Sequence, residues 1–362
     1  MPEQTLSRDA FYSAIPTLRV DGQADAKVTT QLLAMEMRER EGGMSALELR
    51  FSNSGTFAGS VAGYVFEDDA SLKLGAALQV YAGDVSAPTE IFRGKITALE
   101  GHFSQNGAPE LMVLAEDALQ AARMQRRTKT WTDATLAALV QQVAAQAGLT
   151  PVTSNLDANI GDQQQFNESD LQFLRRLLAR YDCDMQVVGA ELHAAPRSDA
   201  QRNTIELNLY SQLHTVRVLA DLSHQVSDVT ATGWDFIAGQ TYSATSNVMS
   251  LGPGSGKSGK DWLPVALAAR SEHLARLAAA NSAEAQAIAD TEFAQRARRF
   301  VVAHGTVEGN PSLRVGSWLT LTGLGARFSN TYYATAATHR FDLENGYETE
   351  FTAECAYLGA AA

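Results

Sequence analysis

"LRVGSWLTLTGLG", residues 313–325, follows the turn-like "EGNPS" and reads as one strand of a small barrel. "LKLGAALQVYAG", residues 72–83, reads the same way. Leu72, Gly75, Leu78 and Val80 are matched by Leu313, Gly316, Leu319 and Leu321, all at one offset of 241 residues. Working outward, "FSQNG" (103–107) meets "FDLENG" (341–346). Phe103 and Phe341 stand 238 residues apart, the Asn-Gly pairs 239, and Ala115-Glu116 meets Ala353-Glu354 at 238 again. "TLRV" at 17 and "TVRV" at 215 form a weaker echo. Asn-Gly hairpins and alternating strands recur in unrelated β proteins, so one match alone says little. Ordered agreement over roughly 40 residues favours duplication of one β module.

Along the chain the period changes. "ALELRF" puts Leu47, Leu49 and Phe51 on one face, the two-residue alternation of a half-buried strand. "LLAMEMRERE" does the same with Leu33, Met35 and Met37, and "EIFRGKITALEGHF" and "APELMVLAED" are joined through Asn106-Gly107. From about 121 the period becomes helical. Thr132 is a candidate cap, Leu136, Leu139, Val140, Val143 and Ala147 form a stripe, and Gly148 stands where a helix stops. A second helix starts at Ser169, with Gln172 completing a capping box, and "DMQVVGAELHA" reads as a hairpin about Gly189-Ala190. Strands return after 200 ("TIELNL", "TVRVLA", "VSDVTATGW", "QTYSAT"). A loop, "SLGPGSGKSGKDWLP", follows, then an alanine-rich helix near 282–298 with Ser282 as candidate cap, and four closing strands. The expected fold is mainly β with an α+β insert: a first tube-like β-barrel over 1–120, the insert over 121–200, and a second tube-like barrel over 201–362. Two similar barrels per chain let a trimer present six similar units in a ring, meeting sixfold symmetry on one face and threefold on the other.

Bulk properties narrow the function. A chain of 362 residues, 45% hydrophobic, can bury a sizeable core. Its net charge of −12 argues against stable nucleic-acid binding, which needs a basic face. The short basic run Arg123–Lys129 reads as a polar face. Cys183 and Cys355 are no disulfide framework and are expected as buried small hydrophobes made in a reducing cytoplasm. No secretory leader pattern opens "MPEQTLSRDAFYSAIPTLRV", and no run of 18 apolar residues offers a spanning helix.

"GPGSGKSGKD" (252–261) fails the P-loop: with four residues between, the Gly required ahead of Gly256-Lys257-Ser258 is Leu251, and Asp261 follows Gly259-Lys260 where a hydroxyl belongs. Pro264 also falls early for a phosphate-cradling helix, so a flexible surface loop is expected. None of His102, His193, His214, His224, His273, His304 and His339 shows zinc-helix spacing, and His339 is expected in a barrel wall. No nucleophile elbow is present, and no two of the 41 carboxylates stand in a recognisable catalytic context. Trp131, Trp234, Trp262 and Trp318 are read as core or interface residues. The sequence therefore points to no catalytic, cofactor-binding or metal residue and to no cofactor.

Several stretches resemble one family, the hub proteins of contractile phage-like tails. These are the phage late-control gene D proteins and the N-terminal half of VgrG proteins of type VI secretion and extracellular injection particles. The similar stretches are "FRGKITALEGHF", "QFNESDLQFLRRLLARYDCDMQVVGAELHAAP", "VTATGWD" and "NPSLRVGSWLTLTG…YYATAATHRFDLENGYETEFTA", in the family's order over most of the chain. The resemblance implies two tube-like barrels, a homotrimer, and a non-enzymatic place between the hexameric tail tube and a trimeric spike. Its partners would be the tube protein, a spike protein and other baseplate proteins, with no membrane insertion of its own. The chain would be made in the cytoplasm and assembled into the baseplate of a particle. VgrG proteins continue into an OB-fold and a spike; this sequence stops at Ala362, so the spike is expected as a separate polypeptide. The rival readings are a tail-borne wall-binding or wall-degrading protein and a cargo-loading adaptor.

Overall fold

The computed structural model describes residues 12–57, 61–68, 70–84, 86–235, 238–247, 250–274, 279 and 281–359; the residues with no leader pattern at 1–11 fall outside it. Alternation builds its first half. Six strands carry it: β1 (Tyr12–Val20), β2 (Leu32–Arg40), β3 (Ala46–Ser52), β4 (Ala77–Asp84), β5 (Thr89–His102) and β6 (Glu110–Asp117). Leu47, Leu49 and Phe51 of β3 all face one core with Met35, Met37, Val113 and Ala115. On β2 the inward residue is Leu32 rather than Leu33: a bulge between Leu32 and Ala34 shifts the register by one and turns Leu33 aside.

The insert follows as β7 (Arg126–Trp131), α1 (Leu136–Ala147), β8 (Thr150–Thr153), β9 (Gln163–Ser169), α2 (Asp170–Arg180), β10 (Cys183–Val188) and β11 (Glu191–Pro196). The hydroxyl that caps α1 belongs to Thr135, one turn later than Thr132, and accepts from the Ala138 amide at 3.1 Å. Gly148 ends α1 in the left-handed region, φ 69°, as its position suggested. Ser169 caps α2 through the Gln172 amide at 3.2 Å. The apolar faces of both helices close on a core of their own with Met185 and Leu192, and Trp131 stacks on Phe173 at 5.9 Å. Arg123 and Arg127 of the basic run pair with Glu116 and Asp170, and Lys129 lies over Trp131.

The second half comprises β12 (Thr204–Asn208), β13 (Leu213–Ala220), β14 (Asp228–Asp235), β15 (Gln240–Ser246), α3 (Gly259–Ala266), β16 (Ser271–Leu274), α4 (Ser282–Arg298), β17 (Val301–Glu308), β18 (Trp318–Thr322), β19 (Asn330–Asp342) and β20 (Gly346–Cys355). Strands β14–β16 form a separate small sheet on which α4 packs. Asn281, not Ser282, caps α4, accepting from Glu284 N at 2.9 Å. The glycine-rich loop is less irregular than expected. Ser258 and Asp261 form a reciprocal capping box that starts α3, and Pro264 is accommodated within it. Gly254, Gly256 and Gly259 serve close packing: a Cβ on Gly256 would come within 2.4 Å of Gly359 O.

The chain is thus mainly β with an α+β insert, and the two β halves repeat one design. The strand order β2-β3-β6-β5-β4-β1 is matched by β13-β17-β20-β19-β18-β12, with the matched strands in the same chain order. The last pair departs, since β12 runs parallel to β18 whereas β1 runs antiparallel to β4. Irregularities match as well. The bulge at Leu32/Ala34 on β2 recurs at Leu213/Thr215 on β13, and that at Ile96/Ala98 on β5 recurs at Ala334/Ala336 on β19. Thr97 Oγ1 donates to Leu114 O at 3.3 Å and Thr335 Oγ1 to Thr352 O at 3.2 Å. Gly75 N donates to Ile96 O at 2.8 Å and Gly316 N to Ala334 O at 2.9 Å, both glycines at positive φ. Shared bulges and shared hydrogen bonds extend the agreement from strand pattern to backbone geometry. Unforeseen in the sequence, the two halves are joined edge to edge: β19 pairs β2, so one sheet runs through both.

Candidate functional site

The join between the halves is made by a strand that changes partner. Residues Asn330–Tyr333 of β19 pair β18; beyond the bulge at Thr335, Ala336–Asp342 pair β2 antiparallel, from Ala336 opposite Arg40 to Asp342 opposite Ala34. Phe341 stands opposite Met35 and enters the first half's core. His339 stands opposite Met37 and is fully buried. Its Nδ1 shares a hydrogen bond with the Tyr347 hydroxyl at 2.8 Å, and burial, then the nearby Arg314 charge, holds its pKa down to about 3.

Charge is buried along this seam. Glu39 continues the inward series of Met35 and Met37. Burial alone would raise its carboxyl, but Arg314, whose Nε lies 2.7 Å away, and then Arg202 outweigh it and bring the pKa down to about 2. The Val315 amide also donates to Glu39, at 3.3 Å. A second network ties three parts of the chain. Arg197, from the end of the insert, contacts Glu41 just beyond β2, donates to Glu354 of β20 at 2.8 Å, and lies over the Tyr333 ring. Arg298 grips Asp182 through both nitrogens at 2.7 and 2.6 Å.

Two matching edges lack a strand partner among the described residues. Beyond Ile96, β5 pairs only β6, whereas its counterpart β19 uses the same stretch to hold β2. β13 pairs only β17, whereas its counterpart β2 is held by β19. The exposed side chains follow. Phe103 is 62% exposed where its counterpart Phe341 is 3%, and Leu74 is 63% exposed where Val315 is 1%. Leu219 on β13 is 51% exposed. Alongside the end of β13 runs an apolar groove of about 850 Å³ floored by Val218, Ala220, Leu222, Trp262, Phe300 and Phe328.

The side chains considered from the sequence do not converge. His102, His214, His224, His273 and His304 are exposed and scattered, and His193 bonds Glu191 at the surface. Among the described residues no group of three or more His, Cys, Asp or Glu could hold a metal ion. Cys355 is buried, but Cys183 is only half-buried, because its strand lies at the margin of the insert and its thiol reaches Tyr181 O at 3.2 Å. No helix among the described residues is long and apolar enough to cross a membrane. Sequence reasoning missed Glu39, Arg197 and Arg314. One signal was available: a carboxylate at the inward position of an otherwise apolar alternation.

A family model described as the Alg8 N-terminal domain matches residues 58–342. No curated protein matches the sequence. Among solved structures, the 43 kDa tail protein of prophage MuSo2 from Shewanella oneidensis is similar over 94% of this chain and 97% of its own, at 12% identity and a TM-score of 0.69. A tail protein from Neisseria meningitidis covers 94% and 96%, at 12% identity and a TM-score of 0.66. An Escherichia coli component of the type VI secretion system, described as structurally similar to bacteriophage T4 tail proteins gp27 and gp5, covers 95% and 79%, at 14% identity and a TM-score of 0.59. The fold is that of these tail proteins.

Proposed function

The chain belongs to the Alg8 N-terminal domain family; from the tail-protein fold and the two unpaired edges we propose that it is a structural hub of a phage tail or contractile injection apparatus, working as a homotrimer. One observation carries the reading. The seam that β19 and β2 make inside the chain has its two halves repeated, unpaired, elsewhere in the sheet: the distal part of β5, beyond its pairing with β4, and the outer edge of β13. Joining β5 of one copy to β13 of the next in the same register would set Gly101 opposite Val218 and Phe103 opposite Val216. An edge strand left open is a template for another chain, and a heterologous contact of this kind closes into a ring when the rotation allows. Three chains then supply six equivalent units, residues 1–120 and 201–362 forming the paired barrel-like modules with 121–200 as the insert between them. Such a ring would dock a sixfold tube on one face and a threefold spike on the other.

The role proposed is mechanical rather than enzymatic. Glu39, Glu354 and Asp182 are each engaged by an arginine: the first pair fastens the two halves together and the other two fasten the insert to the second half. The test is the mass of the purified protein, alone and with its spike and tube proteins, together with Glu100→Cys/Leu219→Cys crosslinking. Three times 38.9 kDa, and a disulfide between copies, are expected. A chain that stays monomeric in every setting overturns the reading.

A further inference from the structure

The inner seam shows what fills the space beside the end of a joined strand. Where β2 reaches Glu39, the turn before β18 is laid against it: Arg314 bonds the carboxylate, the Val315 amide donates to it, and Val315 is 1% exposed. The counterpart of Glu39 on β13 is Ala220, by the offset that equates the two bulges. The counterparts of Arg314 and Val315 are Lys73 and Leu74, by the offset of 241 residues that equates Gly75 with Gly316. Two differences are complementary. A large charged residue becomes Ala220, which opens the apolar groove floored by Val218, Leu222, Trp262 and Phe300. The smaller Val315 becomes Leu74, which projects into solvent at 63% exposure although Leu72 beside it is buried.

We propose that Leu74 of one copy inserts into the Trp262 groove of the next, an apolar knob that replaces at the junction between copies the Glu39–Arg314 ion pair used within a copy. The inference rests on the trimer reading and names its anchoring contact. The cost of altering an interface concentrates at side chains that fill well-packed, fully desolvated pockets, and here the aromatic partner is Trp262 in the groove. The occupant is another copy of this chain because the turn that carries Leu74 has the same backbone hydrogen bonds as the turn that carries Val315. It is therefore delivered to the same place when the strands join.

Leu74→p-benzoylphenylalanine, in a mixture of unlabelled and nitrogen-15-labelled chains, tests the contact directly. In the trimer fraction, irradiation is expected to link position 74 to peptides holding residues 218–222, Trp262 or Phe300 of a differently labelled chain. A trimer in which position 74 links elsewhere, or only within its own chain, overturns this inference and leaves the trimer standing; a protein that never trimerises overturns both. Leu74→Asp is expected to raise the trimer dissociation constant at least about 100-fold, leaving the melting of the isolated chain unchanged because the side chain is exposed there, while Leu74→Met holds assembly near the original level. Equal assembly by Leu74→Asp and the unaltered protein also overturns it.

Discussion

Glu39 occupies a position that alternation assigns to an apolar side chain, and two arginines make its charge tolerable there. Removing one partner of such a group is worse than removing all of it, because the remaining charge stays buried and unpaired. Glu39→Ala is therefore expected to lower unfolding stability by about 3–5 kcal/mol in urea titrations, and Glu39→Met with Arg314→Met to recover most of that loss. The same cluster sets an acid limit. Glu39 is held at about 2 against an ordinary 4.5, so the stability it contributes is complete above pH 4.5 and is lost as pH falls toward 2. His339 is held at about 3 against 6.5. The unfolded chain takes up its proton first, and stability declines as pH falls from 6.5 toward 3. The contributions of Glu39 and His339 to the urea midpoint are therefore level above pH 7 and fall below it, while Glu41 and Asp117, raised by burial to about 7 and about 6, contribute in the opposite sense over the same range. His339→Gln should remove the declining contribution between 6.5 and 4.5, and a slope there identical to that of the unaltered protein would remove His339 from the account.

At the scale of elements, equivalent strands in different surroundings make a controlled comparison. Phe341→Ala empties a core position and is expected to destabilise the isolated chain by about 3–5 kcal/mol. Phe103→Ala, at the matching place on a free edge, should change it by less than about 0.5 kcal/mol while weakening assembly. Calorimetry of both variants separates the two effects, and similar losses would mean that Phe103 is already buried by its own chain. The comparison also shows what the sequence could carry. Alternation located the strands, helical spacing located α1, α2 and α4, and the Leu-Gly-Leu repeat exposed the duplication, because all three are local or periodic signals. The bulges at Leu33 and Thr97 left no mark, since one extra residue changes a strand's register without changing its composition. The caps of α1 and α4 were displaced for a similar reason: several nearby hydroxyl and amide side chains can each cap a helix, and packing chooses among them. Pairing of β2 with β19 was beyond reach, because strands about 300 residues apart meet only through the tertiary fold.

For the whole molecule, the site was legible only as a family resemblance and a symmetry argument; the edges that would make it were not, because an edge is defined by what fails to pair with it. The interdomain arginines give the three parts of the chain a common anchor, with Arg197 and Arg298 reaching the insert and both halves. The proposed ring would then have joints of two kinds. Three lie within a polypeptide, locked by buried ion pairs and by the chain itself; the three between polypeptides are held by strand edges and an apolar knob. Only the second kind can part without unfolding anything. Such a collar is a clasp with three catches: it can be fastened around a filament already in place, and a partner that fits the finished circumference would keep it shut.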